Sequence, residues 1–242
     1  MNMIKNLIPK IFIVSFYLIV SNNLYAAENI KGAATELVVT MTKVELCETG
    51  STISNCLNPV DITSGSGATA DIAAVEAGVA AATVADFSRA PLGKSYTHIQ
   101  TVMSRAMTIT GQAGECYTKS GANGALDSAG ATGWDQDDAG AVTQSVTLYV
   151  PFFSVNANYT MMEGSDSNGG NLAPNSSVRS TDTHFRSRNA LSKAYTPVAG
   201  SSPSVFVAFD TSISVNELDD ASCSDAGLQA APPTVTITVQ GQ

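Results

Sequence analysis

Apolar and polar residues alternate with a period of two along most of the chain, and this pattern is typical of β-strands that bury one face. Residues 204–215 show it most clearly, and residues 234–240 repeat it after two prolines. Residues 142–152 follow the same pattern, and Pro151 predicts an edge or a bulge there because proline cannot donate a ladder hydrogen bond. The apolar face of the first segment carries Val205, Val207, Phe209, Ile213 and Val215.

The first mature strand, residues 35–46, changes the parity of its apolar positions midway. Odd positions are apolar up to Met41, and even positions are apolar from Val44 onwards. A β-bulge near residues 42–43 would turn both groups to the same side. Within residues 96–110, one apolar face carries Ile99, Met103, Met107 and Ile109.

Segments rich in glycine, asparagine, serine and aspartate separate these strands. Residues 120–140 and 163–180 are predicted to be long loops. Residues 68–87 are predicted to form a short strand followed by a loop or by one or two helical turns. Together these elements predict an all-β fold, an antiparallel β-sandwich of about eight to ten strands with long Gly/Ser/Asp-rich loops.

The first 26 residues have the three parts of a secretory signal peptide. Lys5 and Lys10 give a positive start, residues 11–20 are apolar, and Ala26 is a small residue at the cleavage point. The apolar run is too short for a spanning helix, which needs about 20 residues. We therefore expect a signal helix over residues 1–26. The mature chain, 27–242, is predicted to be a single β-sandwich domain, with a candidate subdivision near 120–140.

The mature chain is acidic, and this narrows the classes of partner. Removal of Lys5 and Lys10 changes the formal charge from −9 to −11, and no basic tract is present. The chain therefore lacks the electrostatic features of nucleic-acid binding. No later segment is apolar enough to span a membrane, so we expect an exported protein of the periplasm, the cell surface or the extracellular space.

All four cysteines lie in the mature chain, and an even count in an exported protein favours disulfides over a metal or redox site. Of the three pairing schemes we favour Cys47–Cys56, which closes a short turn-rich segment, together with Cys116–Cys223. Loop-closure entropy gives about 2.5–3 kcal/mol for the short bridge and about 5 kcal/mol for the long one.

The N-terminal half contains the succession VVTMTKVEL, VDIT, ADIAAVEAG and GKSYTHIQTVM. Over about residues 35–110 this succession resembles the bacterial domain family DUF4382. The resemblance implies an immunoglobulin-like or prealbumin-like β-sandwich in an exported protein of unknown role, and the family has no catalytic residues to carry over. The Cys47–Cys56 segment and the long C-terminal half depart from the pattern of the family.

An aspartate-rich segment follows the single tryptophan, Trp134. Asp135, Asp137 and Asp138 are weak candidates for calcium ligands, because the segment lacks the oxygen ligands that a hand-type loop needs at its fifth and twelfth positions. Trp134 is interpreted as a buried loop anchor, and the alternative is an exposed ring that stacks on a sugar. A second acidic group is interpreted as a solvated loop, with calcium as the alternative, and consists of Glu217, Asp219, Asp220 and Asp225.

Basic residues concentrate between positions 179 and 193. Arg179, Arg186 and Arg188 are candidate contacts for an anionic glycan or for the acidic surface of a neighbouring copy, since arginine pairs well with carboxylates. The favoured interpretation is a solvated loop that balances the acidic chain, and this loop would also contain His184. His98 is interpreted as a surface histidine on the strand face opposite Ile99.

No catalytic or cofactor motif was found, and we expect no cofactor. The leading hypothesis is a non-enzymatic structural or adhesion protein of the cell surface or extracellular space. Its partners would be other surface proteins or copies of itself, joined when Val235–Val239 or the N-terminal segment adds a strand to a neighbouring sheet. The alternatives are a carbohydrate- or calcium-dependent binding module and a secreted hydrolase with a site assembled from scattered loops.

Overall fold

A computed structural model describes residues 31–74, 84–114, 116–120, 135–136, 142–150, 162–165, 178–201, 203–217, 228–230 and 233–240. The described residues form antiparallel β-strands and one short 3-10 helix, Phe87–Arg89. The all-β antiparallel class is therefore confirmed, and the finer sandwich arrangement stays a prediction. The strands are β1 (Lys31–Gly32), β2 (Ala34–Glu48), β3 (Val60–Asp61), β4 (Ala68–Asp71), β5 (Tyr96–Ser104), β6 (Ala106–Ala113), β7 (Cys116–Tyr117), β8 (Asp135–Gln136), β9 (Val146–Tyr149), β10 (Met162–Ser165), β11 (His184–Tyr195), β12 (Ser204–Asp210), β13 (Val215–Glu217), β14 (Leu228–Ala230) and β15 (Thr234–Gln240).

The longest strand, β2, lies at the centre of the largest sheet. Along one edge it pairs with β5 and, nearer its N-terminal end, with β6. The register with β5 shifts between Met41 and Lys43, which is the β-bulge predicted at residues 42–43. Val39 and Leu46 are both buried in the same core despite their opposite parity. The bulge therefore keeps the two halves of one long strand in contact with one apolar interior.

Strands β5 and β6 form one path that is interrupted at Arg105, so residues 96–110 are two strands and not the single strand that the pattern suggested. The N–H of Arg105 donates to the carbonyl of Thr183 (3.0 Å), and its carbonyl accepts from the N–H of Val150 (2.8 Å). Strand β11 is the neighbour of β5, and β9 is the neighbour of β6. Both strands pair with β2, so only the neighbour on the other side changes at Arg105, from β11 to β9.

The other edge of β2 is covered by β4 and β3. Gly67, just before β4, has φ +90°, and a Cβ at this position would lie 2.1 Å from the carbonyl oxygen of Met41. Glycine is required there by both the backbone conformation and the close approach. The predicted strand within residues 68–87 is confirmed as β4, whereas residues 75–83 lie outside the described part.

Strands β12 and β15 pair over seven residues and form a separate two-stranded ribbon. Ile237 and Val239 of β15 belong to the buried core, and Phe209 and Val235 pack against it. The strand predicted over residues 204–215 ends at Asp210, whose Oδ1 accepts from the N–H of Ser212 (3.0 Å) and stabilises a turn. Val215 is buried as predicted, but it begins β13, which pairs with β1 and β14 in another sheet.

The strand predicted over residues 142–152 is shorter in the structure. Val142 is 72% exposed and lies outside any strand, whereas Val146 and Leu148 on β9 are buried. The N–H of Gln144 instead donates to the carbonyl of Thr118 (2.8 Å). Pro151 and Phe152 lie outside the described residues.

Candidate functional site

A row of buried polar side chains crosses the face of the largest sheet that lies opposite the core. Glu45 on β2, Gln100 on β5 and Arg188 on β11 occupy paired positions on three adjacent strands. Gln100 Nε2 donates to Glu45 Oε2 (2.7 Å), and Arg188 Nε donates to Gln100 Oε1 (2.7 Å). All three residues are at most 7% exposed. The amide of Gln100 therefore links a buried carboxylate to a buried guanidinium.

The segment closed by the Cys47–Cys56 disulfide covers one end of this polar row. The predicted pairing is present, and Cys47 is fully buried on β2. Arg188 Nη1 donates to the carbonyl of Ile53 at the tip of the segment (2.6 Å). The hydroxyl of Ser51 donates to the carbonyl of Glu48 (2.6 Å) and accepts from the N–H of Leu57 (2.9 Å). The disulfide and Arg188 thus hold the same segment from two directions.

His98 lies beside this disulfide, directly opposite Cys47 on β2 and Ala190 on β11. It is half-buried, and its Nδ1 is 3.0 Å from the hydroxyl of Thr97. Burial, and secondly the charge of Arg188, lower the pKa of His98 below its ordinary value. The neutral imidazole is therefore favoured in the folded protein.

A second buried cation, Arg105, was missed by the sequence analysis. Its side chain is fully buried where β5 meets β6. Nε donates to the carbonyl of Val150 (2.8 Å), and Nη1 donates to the carbonyls of Arg179 (3.0 Å) and Asp182 (2.7 Å). Burial lowers its pKa, and the charge of Asp182 opposes that effect. The guanidinium joins three chain segments through their backbones. Arg105 lies between Met103 and Met107 and shares their odd-numbered positions, which face the core. A charged residue on this apolar face was the signal that could have revealed it.

The basic cluster predicted between residues 179 and 193 is mostly a strand and not a loop. Arg186 and Arg188 lie on β11, and His184 begins that strand. The buried side chain of Arg188 donates hydrogen bonds to Gln100 and to the carbonyl of Ile53. Arg179 precedes β11, and its side chain forms an ion pair with Asp182 (2.8 Å) while remaining 61% exposed. Arg188 is therefore buried, Arg186 is half-buried and Arg179 is exposed, so Arg179 is the one most accessible to a partner.

The candidate calcium and glycan residues fall mostly outside the described part. Trp134, Asp137 and Asp138 lie outside it, and for Asp135 only the backbone position on β8 is described. Among the described residues no group of three His, Cys, Asp or Glu side chains is arranged to hold a metal ion. Cys116 on β7 is buried and disulfide-bonded. Its predicted partner, Cys223, lies outside the described residues, so that pairing stays a prediction.

Strand β12 forms an open edge within the described part of the chain. It pairs with β15 on one side, and no other described strand pairs with it. Ala208 on β12 and Thr236 on β15 stand directly opposite each other, and both are exposed. Strand β15 also pairs only with β12 among the described strands, but it packs against β11, where Ser192 donates a hydrogen bond to the hydroxyl of Thr238 (3.3 Å). The six residues from Ser204 to Phe209 carry no charge.

No protein-family model, no curated protein and no solved structure matches the chain. The resemblance of residues 35–110 to the DUF4382 family therefore stays a prediction. Across the described ranges, no helix is long and apolar enough to cross a membrane.

Proposed function

We propose that the protein is an exported, non-enzymatic structural or adhesion protein of the cell surface or extracellular space, and that its copies associate by adding a strand to β12. The observation that supports this proposal is the edge of β12, which is unpaired among the described strands and carries no charge before Asp210. Soluble proteins commonly protect such edges with charged side chains, proline or bulges. From Ser204 to Phe209 the edge has none of the charges or prolines that serve this purpose.

A second copy of the chain is the occupant that fits this edge. Pairing two strands across a two-fold axis is self-complementary, and neither strand would bring a repelling charge before Asp210. Strand β15, which the sequence offered as a donor, is engaged in its own chain through all seven of its residues. The edge of β12 is therefore the better contact surface, since its use requires no release of an existing strand and β15 packs against β11.

The expected association is weak in dilute solution. A seven-residue pair adds backbone hydrogen bonds that contribute about 0.5–1.5 kcal/mol each. Loss of translational and rotational freedom costs at least about 4 kcal/mol and offsets much of this gain. Copies concentrated at a surface associate more readily because their effective concentration is higher.

Sedimentation equilibrium of the mature chain, residues 27–242, at concentrations up to about 1 mM tests this proposal. Ala208→Lys places a charge on the edge strand, and Thr236→Lys places the same charge directly opposite on the inner strand. We expect reversible association of the wild type, at least about tenfold weaker association of Ala208→Lys, and near-wild-type association of Thr236→Lys. A wild type that stays monomeric, or equal effects of both substitutions, would contradict the proposal.

Export is tested separately on the protein recovered from cells. The buried Cys47–Cys56 disulfide fits an oxidising compartment. We expect an N-terminus at about residue 27, recovery outside the cytoplasm and no free thiol in non-reducing mass mapping. An intact N-terminus together with reduced cysteines in the cytoplasmic fraction would refute this part of the proposal.

A further inference from the structure

An apolar cavity of about 60 Å³ lies between the core face of the largest sheet and the β12–β15 ribbon. Met41 on β2 and Met103 on β5 line one side, and Phe209 and Val235 on the ribbon line the other. A single water molecule needs about 10–15 Å³ of cavity volume on the same scale. The cavity therefore has room for several non-hydrogen atoms, and its walls offer little to hold water.

Two polar side chains interrupt this apolar lining. Thr101 on β5 and Asn189 on β11 both line the cavity. Asn189 is only 7% exposed. Neither the hydroxyl of Thr101 nor the side-chain amide of Asn189 forms a hydrogen bond with any described residue. Buried amide groups nearly always have a hydrogen-bond partner, because leaving one unmade costs free energy. The polar atoms of Asn189 and Thr101 are not fully enclosed, so they remain accessible to a polar group that enters the cavity.

We infer that this cavity binds a small uncharged amphiphile, with its alkyl or ring portion between the two sheets and a hydroxyl or carbonyl group on Asn189 and Thr101. The ligand is uncharged because the described lining residues include no ionisable side chain that could neutralise a charge. The amide of Asn189 can donate and accept, and the hydroxyl of Thr101 can do the same, so one hydroxyl or carbonyl satisfies both. This inference does not depend on strand addition at β12.

The methionines provide a direct readout of binding. Met41 and Met103 line the cavity, whereas Met107 is buried in the core but is not among the lining residues. In a mature chain labelled with ¹³C at the methionine methyl groups, titration with n-hexanol is expected to shift the signals of Met41 and Met103. The signal of Met107 serves as an internal control and is expected to move little. Absence of shifts at Met41 and Met103 up to the solubility limit of the alcohol would overturn the inference.

Two substitutions test the role of the polar pair. We expect Asn189→Leu and Thr101→Val each to weaken hexanol binding by about 5- to 10-fold, as for the loss of one hydrogen bond. The affinity for n-hexane, which has no polar group, is expected to stay the same or rise in both variants. Thr108→Val, on β6 outside the cavity lining, is the control for Thr101→Val. If hexanol affinity is unchanged in both cavity variants, the polar groups do not recognise the ligand and the inference fails.

Sodium hexanoate distinguishes the uncharged ligand class from an anionic one. We expect the carboxylate to bind at least about tenfold more weakly than the alcohol of the same chain length, since its charge would have no partner in the cavity. Equal or tighter binding of hexanoate would refute the assignment to uncharged ligands. Because Thr101→Val changes a single group inside the cavity, it also supports the test if Asn189→Leu proves too unstable to purify.

Discussion

Replacing Arg105 by methionine removes a side chain that joins the start of β6 to the segments at Val150, Arg179 and Asp182. Three of its hydrogen bonds are 2.7–3.0 Å long, and bonds of this kind to a charged group contribute about 1.5–3 kcal/mol each. Desolvation of the buried guanidinium offsets several kcal/mol of that total. Methionine removes both effects but leaves the backbone carbonyls that Arg105 bound without their donor. We therefore expect a net loss of about 3–5 kcal/mol in the free energy of unfolding.

Urea unfolding followed by circular dichroism measures this loss. With a denaturant slope of about 2–3 kcal/mol per M, the midpoint of Arg105→Met should fall by roughly 1–2 M. Arg105→Lys keeps the charge but lacks the planar fork, so we expect an intermediate midpoint. Lys193→Met, which removes an exposed charge from β11, should leave the midpoint near that of the wild type. A decrease of less than about 0.5 M for Arg105→Met would refute the reasoning, because the carbonyls would then not depend on the guanidinium.

Two further predictions concern the Cys47–Cys56 segment. The double substitution Cys47→Ala/Cys56→Ala should lower the free energy of unfolding by about 2.5–3 kcal/mol in urea titrations. No change would mean that Arg188 and the turn hydrogen bonds hold the segment without the disulfide. The second concerns His98, which lies beside this segment and whose pKa is lowered in the folded state by burial and by the charge of Arg188. The neutral imidazole therefore contributes fully to stability above about pH 6.5, and this contribution is lost as the pH falls through the folded pKa. His98→Asn should therefore weaken the decline of stability between about pH 6.5 and pH 5. A ¹H NMR titration, in which His184→Asn assigns the two histidine signals, should show the His98 midpoint below 6.5. A midpoint at or above that value, or an unchanged pH dependence, would contradict the assignment.

Local sequence patterns were sufficient for the elements that depend on neighbouring residues. The change of parity between Met41 and Val44 predicted the bulge in β2, since a period-two strand can bury both groups on one side only if a residue is inserted. The short spacing of Cys47 and Cys56 similarly favoured the observed disulfide. The alternation over residues 234–240 predicted β15.

Long-range contacts were beyond the reach of these patterns. Period-two alternation gives the buried face of a strand, but it contains no information on which strand lies alongside. Residues 204–215 therefore looked like one strand, although the turn at Asp210 sends the two parts into different sheets. Arg188 looked like part of a solvated cluster because the sequence could not show Gln100 and Ile53 around it.

The sequence by itself determined the all-β class, the bulge in β2 and the short disulfide, because each depends on side-chain parity or on residues close together in the chain. Only the tertiary structure decided the polar row from Glu45 to Arg188, the burial of Arg105 and the cavity beside Asn189. Each of these brings together residues that are about 45 to 195 positions apart. The cost of burying a polar group there is offset by partners that only strand pairing supplies.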